Sequence, residues 1–324
     1  MAAGRRGWKI GPAPHATQPG RLPSDWGGVS SLRHGSVHYE LLERLGGGGS
    51  GEVHLARVVG GGLERRVCIK RLAGRVAPAD AAVLREEARV LASVRHANVV
   101  SLLGFGDDEE RGPFLVLELV EGMDLREVRR RLGTQRLADP VAVHVACSLL
   151  RACSAVQRCL PGIVHRDVTP NNVLVSVHGE VKLADFGIAI ARDRTRWTAP
   201  FSVKGKVGYM SPEQILGEPL DPRSDLFAVG VILYELLAGV RPWGPLRAMS
   251  ELRAAVSDAP VPLAARRPDV PEALARAVDH LLERSPRARF STADDALRSL
   301  ALFGAGELGS LRLSSLVEAL TALT

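Results

Sequence analysis

The sequence has few aromatic residues and few lysines, and both shortages bear on its partners. Aromatic residues make up 4% of the chain, so it offers few rings on which nucleic-acid bases could stack. The formal net charge is +6, but the cations are scattered among acids and form no basic stripe. We therefore expect no nucleic-acid partner. Nearly every cation is arginine, and the lysines are limited to Lys9, Lys70, Lys182, Lys204 and Lys206.

Long apolar runs are also missing. The longest, Leu226–Val240, is interrupted by Glu235 and is shorter than the roughly 20 residues that span a bilayer. It predicts a buried helix rather than a membrane anchor. Residues 1–10 are basic, but no apolar stretch follows them, so they do not resemble a secretory signal. These features predict a cytoplasmic protein with no membrane partner.

Cysteines are few and are not arranged as metal ligands. The chain has four, none of them in a CxxC pair, and Cys147, Cys153 and Cys159 recur every six residues within a helical pattern. We expect reduced cysteines that pack in the core.

The chain changes character along its length. Residues 1–37 are rich in Gly, Pro, Ser and Arg and lack periodicity, which predicts a flexible leader. Residues 38–120 contain short β-type runs such as "GEVHLARVV" and "RRVCIKRLA", with one helix over 78–94. Residues 121–303 are mainly helical in pattern, and residues 304–324 predict a helical tail. This order predicts an α+β fold with a small strand-rich first lobe and a larger helical second lobe.

Glycines form the first candidate site. The stretch "LGGGGSGEV", from Leu45 to Val53, places Gly46, Gly48 and Gly51 in a GxGxxGxV pattern between two predicted strands. Glycines let the backbone approach a phosphate and turn its N–H groups toward it. Taken alone, the pattern is equally typical of a flexible hairpin.

A cation and an acid follow the glycines. Lys70 lies on the next strand, and Glu87 shares a helix face with Leu84, Leu91 and Val94. That face points inward, so Glu87 needs a cationic partner. We expect Lys70 to supply this charge.

Polar residues then cluster in "VHRDVTPNNVL", Val164–Leu174, and in "KLADFG". Asp185 follows an apolar strand, and with Asn172 it offers the oxygen ligands that Mg²⁺ prefers. Asp167 is placed to accept the proton of an attacking hydroxyl. Each residue alone has an ordinary structural interpretation, as a turn aspartate or a capping asparagine.

The order of these motifs is more specific than any one of them. A Gly-rich loop, a strand Lys, an inward Glu, "HRDVTPNN", "DFG" and "SPE" in one chain match the protein-kinase signature set. From about Tyr39 to Phe303 the sequence resembles Ser/Thr protein kinases of the bacterial, Hanks type. The resemblance implies a two-lobed kinase fold over residues 38–303, with an N-lobe over 38–120 and a C-lobe over 121–303.

The resemblance also implies ATP and Mg²⁺ as cofactors, a protein as substrate, and a role for each matched residue. Asp167 would orient the substrate hydroxyl, Lys70 would hold phosphates with Glu87 as its partner, and Asn172 and Asp185 would bind the metal. Adenosine would contact the following residues: Leu45, Val53, Cys68, Glu118, Val120, Asp124 and Leu174. Asp225 would brace the catalytic loop, and Glu213 would pair with Arg289.

Two positions depart from the family pattern. The family has a Lys two residues after the catalytic Asp and a Thr in the segment before "YMSPE", whereas this chain has Thr169 and Lys206. In a chain that uses so few lysines, we interpret this as an exchange in which Lys206 reaches the γ-phosphate and Thr169 makes the hydroxyl contact. The rival hypothesis is a nucleotide-binding pseudokinase or scaffold.

Regulation and specificity are predicted less sharply. Arg166 precedes Asp167, and kinases with Arg there generally need a phosphate on the activation segment, for which the candidates are Thr195, Thr198 and Ser202. A tyrosine kinase is a further alternative, although "GYMSPEQ" resembles the Ser/Thr class. The sequence does not indicate the substrate, the signal or the oligomeric state.

Overall fold

The computed structural model describes residues 31–34, 37–48, 51–59, 65–72, 78–108, 112–186, 208–244, 251, 259–304 and 306–322. These residues form a strand-rich amino-terminal lobe followed by a larger helical lobe. The predicted α+β architecture is confirmed.

An antiparallel sheet of six strands forms the first lobe, in the order β1-β2-β3-β4-β6-β5. Its strands are β1 (Ser31–His34), β2 (Val37–Gly48), β3 (Gly51–Val59), β4 (Arg65–Arg71), β5 (Leu102–Asp108) and β6 (Gly112–Leu117). Helix α1 (Pro78–Ser93) lies between β4 and β5 in the chain and packs on β5 and β6. It buries Leu84, Glu87 and Leu91, the inward face that the sequence predicts.

The second lobe is built from helices and one small sheet. Strands β7 (Gly122–Asp124), β8 (Val173–Ser176) and β9 (Val181–Leu183) pair antiparallel in that order. The helices are α2 (Leu125–Leu132), α3 (Asp139–Cys159), α4 (Pro212–Leu216), α5 (Arg223–Ala238), α6 (Leu263–Arg266), α7 (Glu272–Leu281), α8 (Ala293–Leu300) and α9 (Glu307–Ala322). Short 3₁₀ turns cover Pro170–Asn172, Pro286–Ala288 and Ala301–Phe303.

Two apolar helices form the centre of the second lobe. Helix α5 is apolar on nearly all sides, and α3 packs against it. The predicted buried helix over Leu226–Val240 thus corresponds to most of α5, which ends where Gly239 adopts a left-handed conformation. Cys147 and Cys153 are buried in α3, whereas Cys159 at its end is exposed.

Among the described helices, only α3 has by itself the length and hydropathy of a membrane span, and 83% of its apolar window is buried inside the protein. The pair formed by Ala293–Phe303 and α9 passes the same test only if both are counted as one span, although they are bent by 83°.

The first strand lies inside the segment predicted as a flexible leader over residues 1–37. β1 pairs with β2, and Leu32 is buried with Tyr39, Phe114 and Val116 on the sheet face opposite α1. The boundary drawn at residue 38 therefore falls inside this hairpin. The sequence pattern does not predict β1, because a strand of four residues is too short to show a period of two.

Helix α9 corresponds to the predicted tail over residues 304–324 and docks on the second lobe. Leu313, Val317 and Leu320 are buried against α3 and the β7–β8 pair. Ser314 Oγ donates to the carbonyl of Val177 at 2.6 Å, and Arg131 donates to the carbonyl of Leu320. Apolar burial and hydrogen bonds to loop carbonyls together hold the tail in place.

Candidate active site

The Gly-rich hairpin joins β2 to β3. Gly46 and Gly48 lie in β2 opposite Val53 and Gly51 of β3. Gly51 has a φ of 123°, and a Cβ there would lie 2.2 Å from the carbonyl oxygen of Arg71. Only glycine fits, and the hairpin has the bare backbone that a phosphate-binding loop requires.

Lys70, at the inner face of β4, contacts acids from two other parts of the chain. Its Nζ lies 2.7 and 2.8 Å from the carboxylate oxygens of Glu87 and 2.8 Å from Oδ1 of Asp185. Lys70 and Glu87 are 3% and 4% exposed. The predicted pairing of Lys70 with Glu87 is therefore confirmed. We call Lys70, Glu87 and Asp185 the cleft cluster.

Charge in the cleft cluster is unbalanced. Burial disfavours the Lys70 ammonium, but the carboxylates of Asp185 and Glu87 outweigh this effect and raise the pKa of Lys70 above its ordinary value. Burial raises the pKa of Glu87 to about 7, and the ammonium offsets only part of that rise. One positive and two negative charges leave an excess negative charge at the mouth of the cleft, where Asp185 is partly exposed.

The catalytic loop runs from His165 to Asn172. Asn172, in the 3₁₀ turn, donates from Nδ2 to both the carbonyl and the Oδ2 of Asp167, each at 2.8 Å. Asp225 of α5 accepts the backbone N–H groups of His165 at 2.8 Å and Arg166 at 2.9 Å. These two bonds are the contacts expected of a residue that braces the catalytic loop, which is the role predicted for Asp225. Burial raises the pKa of Asp225 to about 7, and the two N–H groups oppose the rise.

Asn172 and Asp185 suit Mg²⁺. Both bonds from Asn172 to Asp167 use its nitrogen, so neither of them uses the amide oxygen. Asp185 adds a carboxylate. No group of three or more His, Cys, Asp or Glu side chains gathers among the described residues. This fits a metal that takes one or two protein oxygens together with phosphate oxygens.

The four apolar residues predicted to contact adenine belong to one buried cluster. Leu45, Val53, Cys68 and Leu174 are all at most 6% exposed. They come from β2, β3, β4 and β8, so both lobes contribute. Burial raises the pKa of the Cys68 thiol, which keeps it neutral and apolar. Apolar residues from both lobes suit contact with a flat ring like adenine.

Comparisons with known proteins agree with this geometry. Residues 39–300 match the sequence profile described as protein kinase domain. The chain belongs to the protein kinase family. It is 34% identical over 295 residues to the tyrosine-protein kinase MasK of Myxococcus xanthus, covering 87% of this chain and 45% of MasK. It is 34% identical over 286 residues to the serine/threonine-protein kinase PknB of Mycobacterium tuberculosis H37Rv, covering 86% and 45%.

Solved kinase structures share the fold. The kinase domain of Mycobacterium tuberculosis PknI superposes with a TM-score of 0.61 at 24% identity, covering 85% of this chain and 98% of that one. The chain spans less than half the length of the curated relatives it matches.

One nucleotide-contact residue predicted for this kinase also caps a helix. Asp124, expected at the ribose, is 1% exposed, and its Oδ1 accepts the N–H of Glu127 at 2.6 Å as the N-cap of α2. This bond uses one carboxylate oxygen, and the contact of Asp124 with the ribose stays a prediction. The spacing Asp124-x-x-Glu127 is a capping signature, and this signal was present in the sequence.

The hinge between the lobes contains Glu118 and Val120, both half-buried. Glu118 Oε1 accepts the N–H of Ser101 at 2.7 Å and the ammonium of Lys182 at 3.1 Å. Sequence reasoning missed Lys182, although it is one of few lysines and lies three residues before Asp185. Its ion pair ties the hinge to strand β9.

Of the two positions that depart from the family pattern, Thr169 lies within the described residues and Lys206 lies outside them. Thr169 is 4% exposed, and its Oγ1 finds no hydrogen-bond partner within the described part of the chain. Lys206, its proposed counterpart, and the phosphorylation candidates Thr195, Thr198 and Ser202 lie outside the described residues.

Glu213 and Arg289 form the predicted pair deep in the second lobe. Arg289 donates from Nη1 and Nη2 to the two oxygens of Glu213 at 2.7 and 2.8 Å, and Ser224 Oγ adds a bond at 2.7 Å. Burial alone would raise the pKa of Glu213, but the bonds from Arg289 outweigh it and lower that pKa. We call this pair the anchor pair.

Proposed function

We propose that this kinase transfers the γ-phosphoryl group of ATP to a Ser or Thr hydroxyl of a protein. The observation that carries the proposal is the joining of Lys70 to both Glu87 and Asp185 within 2.8 Å, across the two lobes. Active kinases require this Lys–Glu pair together with a metal-binding Asp. The intact set argues against a pseudokinase.

The residues have separate tasks in this proposal. Lys70 binds the phosphates, and Glu87 holds the ammonium in place. Asn172 and Asp185 hold Mg²⁺, which supplies charge neutralisation on the phosphates when bound. Asp167 orients the substrate hydroxyl and accepts its proton. Leu45, Val53, Cys68 and Leu174 enclose adenine, and the backbone groups of Glu118 and Val120 bind its polar edge.

The test is transfer from [γ-³²P]ATP with Mg²⁺ to casein and, separately, to a Glu-Tyr copolymer, followed by phosphoamino-acid analysis. We expect phosphoserine and phosphothreonine on casein, and no label with Asp167→Asn. Phosphotyrosine as the main product would favour a tyrosine kinase, which the name of the relative MasK makes a specific second candidate. No transfer by the wild type to either substrate would establish the pseudokinase alternative.

We also propose that Thr169 and Lys206 have exchanged the family's roles, with the Lys206 ammonium serving the γ-phosphate. Among the described residues no group bonds to Oγ1 of Thr169, and this supports a contact supplied by another part of the chain. Lys206→Thr should lose roughly a hundred- to a thousandfold in rate. Adding Thr169→Lys to this variant should restore much of the lost rate. If the losses of the two single variants simply add in the double variant, the exchange is excluded.

Control of this activity is proposed to lie in the activation segment. Autophosphorylation among Thr195, Thr198 and Ser202 would give Arg166 an anionic partner. Replacing all three with Ala should lower activity, and mass spectrometry should locate the phosphate. The cytoplasmic location and the lack of nucleic-acid and membrane partners stay predictions.

A further inference from the structure

Helix α4 follows its N-cap Ser211 in "SPEQ", and its third residue, Gln214, contacts the catalytic loop. Gln214 is 8% exposed, and its amide lies between the start of its own helix and Arg166. Oε1 accepts the N–H of Ser211 at 3.0 Å, which completes a capping box. Nε2 donates to the carbonyl oxygen of Arg166 at 3.0 Å.

These two partners fix which way the amide points. A backbone N–H can only donate and a carbonyl can only accept, so one end of the side chain must be oxygen and the other nitrogen. Glutamine meets both demands. Glutamate would serve the cap equally well but would set a carboxylate oxygen against the Arg166 carbonyl.

Arg166 is in an unfavourable backbone conformation. Its φ is 67°, in the left-handed region that costs free energy for any residue with a Cβ. Such a conformation persists only when neighbours hold it. Asp225 holds the N–H of Arg166 at 2.9 Å, and Gln214 holds its carbonyl. The peptide that joins Arg166 to Asp167 is therefore held by a hydrogen bond from α4.

We infer that Gln214 is a positioning residue, which keeps Arg166 left-handed and thereby sets the place of the Asp167 carboxylate. The inference rests on the proposed function, because it concerns the same transfer step. It gives α4 a second task. Besides carrying Glu213 of the anchor pair, this short helix restrains the catalytic loop directly.

The first test is Gln214→Glu, measured with [γ-³²P]ATP, Mg²⁺ and casein. We expect the apparent kcat to fall about tenfold, the factor that corresponds to about 1.4 kcal/mol. The KM for ATP should stay unchanged, because the nucleotide contacts are untouched. The matched control is Ser211→Ala, which weakens the same helix start without removing the bond to Arg166. It should lower the unfolding midpoint at least as much as Gln214→Glu but leave kcat near wild type.

The second test separates backbone strain from loss of a simple contact. Glycine accepts a positive φ freely, whereas alanine does not. Gln214→Glu should therefore lower kcat only slightly when Arg166 is replaced by Gly. When Arg166 is replaced by Ala, it should lower kcat by the same tenfold factor as in the wild type. Both backgrounds lack the guanidinium, so only the strain differs.

The outcomes distinguish the inference from the function on which it rests. A wild type without any transfer would remove the proposed function. If the wild type transfers phosphate and Gln214→Glu matches it, the inference is wrong. Equal penalties in the Gly and Ala backgrounds would also overturn it, as would a rise in KM for ATP with kcat unchanged.

Discussion

The cleft cluster and the anchor pair are both buried acid–base contacts, but their charges are balanced differently. In the anchor pair one guanidinium meets one carboxylate through two bonds, and the pKa of Glu213 is lowered. In the cleft cluster one ammonium meets two carboxylates, and the pKa of Glu87 is raised to about 7. The first is complete in itself, and the second has negative charge left over for a cation.

This contrast distinguishes a structural ion pair from one that is ready to bind a ligand. A complete pair stabilises the fold only while both partners are present, since a lone buried charge is costly. An incomplete cluster tolerates loss of a partner better, because an acid whose pKa is already near neutrality can take up a proton.

Breaking the anchor pair should have the largest effect. Arg289→Met leaves Glu213 buried without its cationic partner, and we expect a loss of about 3–5 kcal/mol in the free energy of unfolding. Urea unfolding followed by circular dichroism measures it. The control is Arg276→Met, which breaks an exposed pair with Glu272 and should cost less than about 1 kcal/mol. Equal losses in the two variants would show that burial of the pair does not matter.

Lys70→Met should affect catalysis more than stability. The phosphates lose their cation, so transfer should fall by roughly a hundred- to a thousandfold. Glu87 can protonate, so the free energy of unfolding should fall by clearly less than in Arg289→Met. Parallel unfolding curves and [γ-³²P]ATP assays on both variants make the comparison. Wild-type turnover in Lys70→Met would refute the site assignment.

Asp185→Asn removes one of the two acids that share Lys70. We expect loss of Mg²⁺-dependent transfer of the same order as in Lys70→Met, while a fluorescent ATP analogue still binds because the apolar residues predicted to contact adenine are unchanged. Titration of the analogue with and without Mg²⁺ should show that the wild type gains affinity from the metal and the variant does not. An unchanged metal effect in the variant would exclude Asp185 as a ligand.

Opposite pKa shifts should give the two regions opposite pH dependence. The folded-state pKa of Glu87 is raised from 4.5 to about 7, so its contribution to stability is greatest below pH 4.5 and is lost as the pH rises toward 7. The folded-state pKa of Glu213 is lowered, so its contribution is present above 4.5 and is lost as the pH falls. The slope for one group cannot exceed about 1.4 kcal/mol per pH unit.

Unfolding curves between pH 3.5 and 7.5 would measure these contributions, with Glu87→Gln and Glu213→Gln as reference variants. The advantage of the wild type over Glu87→Gln should shrink as the pH rises. Its advantage over Glu213→Gln should shrink on acidification. Slopes of the same sign would contradict the contrast between the two regions.

Much of the site could be predicted because its residues carry local signals. Glu87 was recognisable as an acid on an apolar helix face, and its pairing with Lys70 followed from charge alone. Gln214 was not recognisable, because its partner lies 48 residues away and nothing in "SPEQ" specifies that contact. The left-handed φ of Arg166 was equally hidden, since only glycine and, less often, asparagine or aspartate suggest such a conformation in a sequence.

In the fold, too, elements with local signals could be predicted and elements that depend on distant residues could not. The strands β3 and β4 and the helices α1, α3 and α7 follow from periodicity within a few residues of their observed ends. β1 does not, because its only described buried side chain is Leu32 and its stability depends on Tyr39 and Phe114 elsewhere in the chain. The capping role of Asp124 is indicated locally by its spacing to Glu127, whereas its contact with the ribose is implied only by the family resemblance and stays a prediction.

Helix α9 also determines where the kinase unit can be cut. The family match ends at residue 300, yet α9 covers α3 and shields the carbonyl of Val177 beside the turn between β8 and β9. A recombinant fragment that ends at residue 300 would open an apolar strip formerly covered by Leu313, Val317 and Leu320. The practical boundary for expression and crystallisation is therefore residue 322, at the end of this helix.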